Sequence, residues 1–169
     1  MFTLSEIETF ERGPYLVLGC YATYEGGDEG PGWSGASQAF MPRIGEVLNR
    51  ADDKTLGFLY RPHRDHPEID EAVRAAFVGV EVTYLDNVPE GMSTTRFSGG
   101  HFARLACIGD SEDEAAMAVG PGVGKLMSWV KEQGYTEGDA CFALSLPQEC
   151  KPPWVEWVYM NYVDAGEEG

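Results

Sequence analysis

Apolar runs along this chain come in a fixed order that occurs twice. Residues 14–24 (PYLVLGCYATY) form a long apolar stretch that reads as a strand, and a helical stretch follows it. Two further strands come next, at residues 55–60 (TLGFLY) and 77–84 (FVGVEVTY). The second half restates the order. A strand at residues 101–109 (HFARLACIG) leads to a helix near 122–133, then to strands at 141–146 (CFALSL) and 155–163 (VEWVYMNYV). These strands are apolar at successive positions, the pattern of a sheet covered on both faces. The order predicts an α+β fold: a tandem β-α-β-β repeat with pseudo-two-fold symmetry, an antiparallel sheet with helices on one face, and a ligand groove between the repeats. Repeat one is expected over about residues 13–88 and repeat two over 89–163, in a single domain spanning residues 1–169.

The connecting segments carry their own signals. Residues 1–13 are an entry segment of mixed charge. Residues 25–35 (EGGDEGPGWSG) are Gly-rich and acidic and read as a loop, in which Trp33 is expected to pack onto a helix or a ligand. Phe40, Ile44, Val47 and Leu48 follow helical spacing and place the first helix within residues 36–51. Pro42 fits best in a first turn, so that helix begins near Met41 or kinks there. Residues 61–72 are a charged excursion, and PEG (89–91) and SGG (98–100) are turns at the seam between the halves. Ser111 and Glu114 form a capping box, and Pro121 restarts the helix that follows. Val123, Leu126, Met127 and Val130 give that helix an apolar face, and Gly134 ends it. The acidic tail, residues 164–169, reads as disordered.

Charge narrows the partners. Twenty-eight acids against 12 bases give a net charge of −16, which argues against nucleic acid, because phosphate binding needs a basic surface. It also suits a surface that attracts cations, although acidity serves solubility as well. Of the four cysteines, Cys20, Cys107 and Cys141 lie in predicted strands and read as small core residues, while Cys150 stands apart. No C-x-x-C pair, leader-like segment or membrane-length apolar run is present in the sequence, so the expectation is a reduced, cytoplasmic protein without membrane contact. His63, Asp65, His66 and Glu68 cluster in PHRDHPE, but the interspersed Pro and Arg read as a solvated loop, and no metal is expected. GPGVGKL (120–126) lacks the Ser or Thr and the glycine spacing of a phosphate loop, so no cofactor is expected.

The β-α-β-β order, the VPEGM turn (88–92), the F-x-G-G-H-F-A segment (97–103) and the closing aromatic strand together resemble the GyrI-like small-molecule-binding domain family. The same domain is the effector-binding domain of bacterial multidrug-responsive transcription activators. The resemblance covers about residues 10–163. It implies a stand-alone member, since the chain shows no basic recognition helix. It further implies binding of lipophilic organic cations in the inter-repeat groove by aromatic walls and a buried carboxylate. Some members hydrolyse strained cyclopropane-bearing natural products. Many members carry a glutamate after an aromatic residue in the strand matching CFALSL; here Ala143 follows Phe142, so the acidic role is carried to Glu156.

Glu156 lies among aromatics in PPWVEWVYMNYV. A carboxylate there is desolvated, rises in pKa, and falls again beside a cation that sheds its water cheaply. Alternation puts Trp154, Glu156, Val158 and Met160 on one side of the strand, and Val155, Trp157, Tyr159 and Asn161 on the other. Solvent exposure of Glu156 on an edge strand is the competing expectation. Trp154, Trp157, Met160, Tyr60, Trp33 and Phe40 are further candidate ligand contacts, with Glu81 as the second acid. Tyr21, Tyr24 and Tyr84 are additional aromatics that could line the groove but read as core more readily than as ligand contacts. Three functions follow. The first is a binding module for lipophilic, mainly cationic aromatic compounds. The second is a hydrolase with Glu156 as general base and Tyr159 or Tyr60 as proton donor. The third, an interaction protein acting on a gyrase-like partner, follows from the family alone.

Overall fold

The computed structural model describes residues 1–145 and 153–164. Cys150, Leu146 and the tail from residue 165 onward lie outside the described residues. The chain divides into two compact units, one of Met1–Tyr15 with Phe97–Gly169 and one of Leu16–Arg96. Both are α+β with antiparallel ladders and helices on one sheet face.

In the first unit, β1 (Thr3–Leu4) and β2 (Glu8–Arg12) both pair with β7 (Gly100–Gly109). Beyond β7 lie β9 (Trp154–Val163) and β8 (Thr136–Ser145). The residue pairs Leu105↔Val158 and Ala103↔Met160 turn toward α2 (Glu112–Met117) and α3 (Val119–Glu132). There they form a core with Cys107, Ala118, Leu126 and Val130. The Ser111 hydroxyl accepts from the Glu114 N–H at 3.2 Å, so the capping box opens α2, and Gly134 leaves α3 at φ 76°. A buried amide holds β8 to the turn after Phe97. Asn161 accepts from the Ala140 N–H at 2.7 Å and donates to Asp139 at 2.7 Å and to the Ser98 carbonyl at 3.2 Å. Every polar atom of that side chain is thereby satisfied.

In the second unit the order is β4 (Arg50–Tyr60), β5 (Arg74–Val82), β3 (Tyr15–Tyr24) and β6 (Ser93–Phe97). One sheet face is covered by α1 (Gly30–Phe40) and a 3-10 turn over Met41–Glu46. Phe40, Leu18, Cys20, Val47, Val80, Val82 and Met92 are buried there.

Four expectations are corrected. The segment expected as a loop is helical from Gly30. Its glycines permit contact: a Cβ on Gly32 would stand 2.7 Å from the Tyr24 ring, and one on Gly35 2.8 Å from the Ala22 methyl. The first helix therefore ends at Phe40, where it was expected to start near Met41. Pro42 opens the 3-10 turn, and Leu48 is exposed because the chain has already turned extended at Val47. The entry segment holds two strands. Cys141 is exposed: it sits opposite Met160 on the helix-side face of β8, while Ala140 and Phe142 on either side of it are buried on the other face. No helix among the described residues is long and apolar enough to cross a membrane.

Candidate functional site

Strand alternation gives each unit a second face that no helix covers, and aromatic rings collect on both. In the Leu16–Arg96 unit this face carries Leu56, Phe58 and Tyr60 of β4, Phe77, Gly79 and Glu81 of β5, and Val17, Gly19 and Tyr21 of β3, by register. Phe58 stacks on Phe77 at 4.7 Å, Tyr60 meets Phe77 edge-on at 5.4 Å, and Tyr21 lies 5.3 Å from Tyr60. Gly19 faces Gly79, and a Cβ on either would strike the Phe77 ring within 2.9 Å. That pair lets the ring lie flat on the sheet toward Glu81. The Tyr60 hydroxyl donates to Asp65 at 2.8 Å. Burial and that bond together hold the phenol well above its ordinary pKa. Phe58, Tyr60 and Phe77 are buried, whereas Tyr21 and Glu81 are half-buried and form the accessible rim.

In the other unit the face turned away from the helices carries Glu8 and Phe10 of β2, Phe102, Arg104 and Ala106 of β7, Trp157 and Tyr159 of β9, and Phe142 of β8. Tyr15 meets Phe142 edge-on at 4.9 Å, and Phe142 stacks on Tyr159 at 5.1 Å and on Phe97 at 5.6 Å. Arg104 is set among these rings. Its Nε donates to Glu8 at 2.9 Å and its Nη1 to the Tyr159 hydroxyl at 3.2 Å. Burial opposes its charge, but those two bonds more than offset it, and the guanidinium pKa is raised.

No protein-family model matches the chain, and no curated protein matches it at a significant level. Solved structures do match. A putative bacterial transcription regulation protein from Staphylococcus aureus MU50 superposes with a TM-score of 0.64 at 12% identity, over 95% of this chain and 99% of that one. SAV2435, solved bound to tetraphenylphosphonium, gives 0.60 at 14% identity and 96% coverage of both chains. A hydrolase from Listeria innocua gives 0.54 at 12% identity, over 94% of this chain and 92% of that one. The chain has a GyrI-like fold.

Within this GyrI-like fold the residues singled out from sequence are sorted by face. Tyr60 and Glu81 share the ring-bearing face of their unit. Trp33 and Phe40 lie on the helix side of the same sheet. Phe40 is fully buried there, and the Trp33 ring covers Gly57, whose Cβ would stand 3.0 Å from it. In the other unit Trp157 and Tyr159 are on the ring-bearing face, while Trp154, Glu156 and Met160 turn toward the helices. Glu156 is half-buried beside Cys107, its partner in register, and not among the rings. Burial raises its carboxyl above the ordinary value and the Glu112 carboxylate adds to the shift. The neighbouring Cys107 thiol is pushed up to about 11, by burial first and Glu156 second. Glu156 and Tyr159 are thus held on opposite faces of β9. The residues that sequence reading missed are Arg104, Glu8, Phe58, Phe77 and the ring set around Phe142. Arg104 had a signal: it is the one charged side chain in a ten-residue apolar strand, if histidine is counted neutral.

Proposed function

We propose that this chain is a small-molecule-binding protein. It takes lipophilic, mainly cationic aromatic compounds on the ring-bearing face of the Leu16–Arg96 unit, with Glu81 setting the charge preference. The observation that carries this reading is the placement of Glu81 on the same sheet face as Tyr21, Phe58, Tyr60 and Phe77. Glu81 lies four residues from Phe77 along β5, about 13 Å at strand rise, a span suited to a compact polyaryl molecule. Ring faces attract a delocalised cation by about 1 kcal/mol each, and such a cation loses little hydration on binding. The structural neighbour solved with tetraphenylphosphonium supports the same ligand class. Phe77 is fully buried whereas Tyr21 and Glu81 are half-buried, so a ligand meets the Tyr21 and Glu81 rim first.

Tetraphenylphosphonium titrated into the wild type, Glu81→Gln and Glu156→Gln tests this. Affinity falls about ten-fold in Glu81→Gln, the loss of one partly desolvated charge contact, and is unchanged in Glu156→Gln. Equal affinity for the wild type and Glu81→Gln would remove the acid from the reading.

A hydrolase reading has two supports: the raised Glu156 carboxyl, which suits a general base, and the Listeria innocua neighbour. Of its two proposed proton donors, Tyr159 is on the opposite face of the strand and engaged by Arg104, and Tyr60 is buried with its hydroxyl donated to Asp65. The binding reading is therefore preferred. Turnover of an electrophilic cyclopropane substrate that Glu156→Gln abolishes would reverse that preference.

A further inference from the structure

The ring cluster of the first unit already contains a cation. The Arg104 guanidinium is centred 4.4 Å over the Trp157 ring, 5.5 Å from the centre of Phe10 and 5.9 Å from that of Tyr159. The electron-rich faces that would attract a lipophilic cation are thus directed at a positive group that the backbone holds in place. A second cation arriving there meets occupied rings and a like charge.

An anion meets the reverse. The guanidinium is a planar fork of N–H donors, matched to a carboxylate or sulfonate. Trp157 and Phe10, both half-buried, offer accessible ring surface beside it. The Arg104 side chain is 35% exposed, so an incoming group can reach it, and its present counter-ion, Glu8, is 55% exposed on the short strand β2. The Glu8 carboxylate can turn into water and leave its place on Nε to another acid at little cost, since exposed ion pairs contribute little. The net charge of −16 disfavours anions at long range, but that field is screened beyond about 8 Å at physiological salt, and contact with the guanidinium is far closer.

We propose that Arg104, with Trp157 and Phe10, forms a receptor on the first unit for an aromatic anion, an aryl carboxylate or aryl sulfonate whose acid group replaces Glu8 on the guanidinium. This goes beyond the cation reading and does not depend on it, because it uses a different unit and none of the same residues.

The test is calorimetric titration of naphthalene-2-sulfonate, with the trimethylammonium analogue of the same ring as the opposite-charge probe. The wild type binds the sulfonate in preference to the ammonium compound. Glu8→Gln binds it more tightly, because the competing carboxylate is gone. Arg104→Gln weakens it by about ten-fold or more, and Arg104→Lys, which keeps charge but not the planar fork, falls between. Glu81→Gln leaves sulfonate affinity unchanged, so this result stands or falls apart from the cation result. Near-ultraviolet circular dichroism checks the fold; should Arg104→Gln not fold, Arg104→Lys and Glu8→Gln decide. The proposal is overturned by absent sulfonate binding, by a preference for the ammonium probe, by undiminished affinity in a folded Arg104 variant, or by weaker binding in Glu8→Gln. The last result would mean that the Arg104–Glu8 pair only pins β2 to β7.

Discussion

Glu156 shows how one side chain can be costly and still be kept. It is half-buried on the helix side of β9, and Glu112 sits near enough to disfavour its charge further. Its folded pKa is raised, so between the ordinary carboxyl value and that raised value the folded state binds more protons than the unfolded chain. Stability then falls as pH rises through this window, and the full penalty is present above it. Glu156→Gln removes the penalty without changing the shape of the residue. Its melting temperature should exceed the wild-type value at pH 8, and the two should converge as pH approaches 4.5, the ordinary value from which the shift is measured. A constant difference across that range would show that Glu156 contributes through packing or hydrogen bonding and not through its charge. The orientation itself was only half legible. Alternation correctly groups Glu156 with Trp154 and Met160, but β9 is apolar on both faces, so the pattern does not tell which group meets the helices.

Among the elements, the helix α3 depends on one missing methyl. A Cβ on Gly122 would stand 2.9 Å from the Cys107 sulfur and 3.1 Å from a Leu105 methyl, both buried. Gly124, one half-turn on, has nothing within 4 Å of the same position. Gly122→Ala should therefore destabilise by about 1–3 kcal/mol through overpacking, while Gly124→Ala should stabilise by up to about 1 kcal/mol through helix propensity. Chemical denaturation of both variants checks the pair, and equal effects would contradict the close approach of α3 to β7. Elements with long apolar runs were readable from sequence: β3, β7 and β9 were each read to within a residue at each end. Those that were missed lacked that signal. β2 reads ETFER, three charges in five residues, because it lies at an edge and its outward side chains meet water. α1 reads GPGWSGASQAF, a sequence of helix breakers, because close approach to β3 mattered more there than intrinsic propensity. Likewise the ring-bearing faces were not legible, since Phe58, Phe77 and Phe142 look like ordinary core residues until register puts them on the same face as Glu81 or Arg104.

For the whole molecule, 28 acids against 12 bases impose self-repulsion that opposes compaction. Raising sodium chloride from about 0.01 M to about 1 M shortens the screening length from roughly 30 Å to 3 Å. The melting temperature should rise by several degrees over that range, and a fall would mean that attractive pairs such as Arg43–Glu46 and Arg104–Glu8 outweigh the repulsion. The two units also differ in how the chain builds them. Leu16–Arg96 is continuous, whereas the other unit joins the first fifteen residues to a segment beginning at Phe97. On a ribosome, β2 must therefore wait for its partner: Glu8 pairs with Arg104, 96 residues later. At a synthesis rate of about 5–20 residues per second that delay is roughly 5–20 seconds. The continuous unit can collapse within that interval, while Phe10 and its neighbours remain unpaired and open to capture by a chaperone.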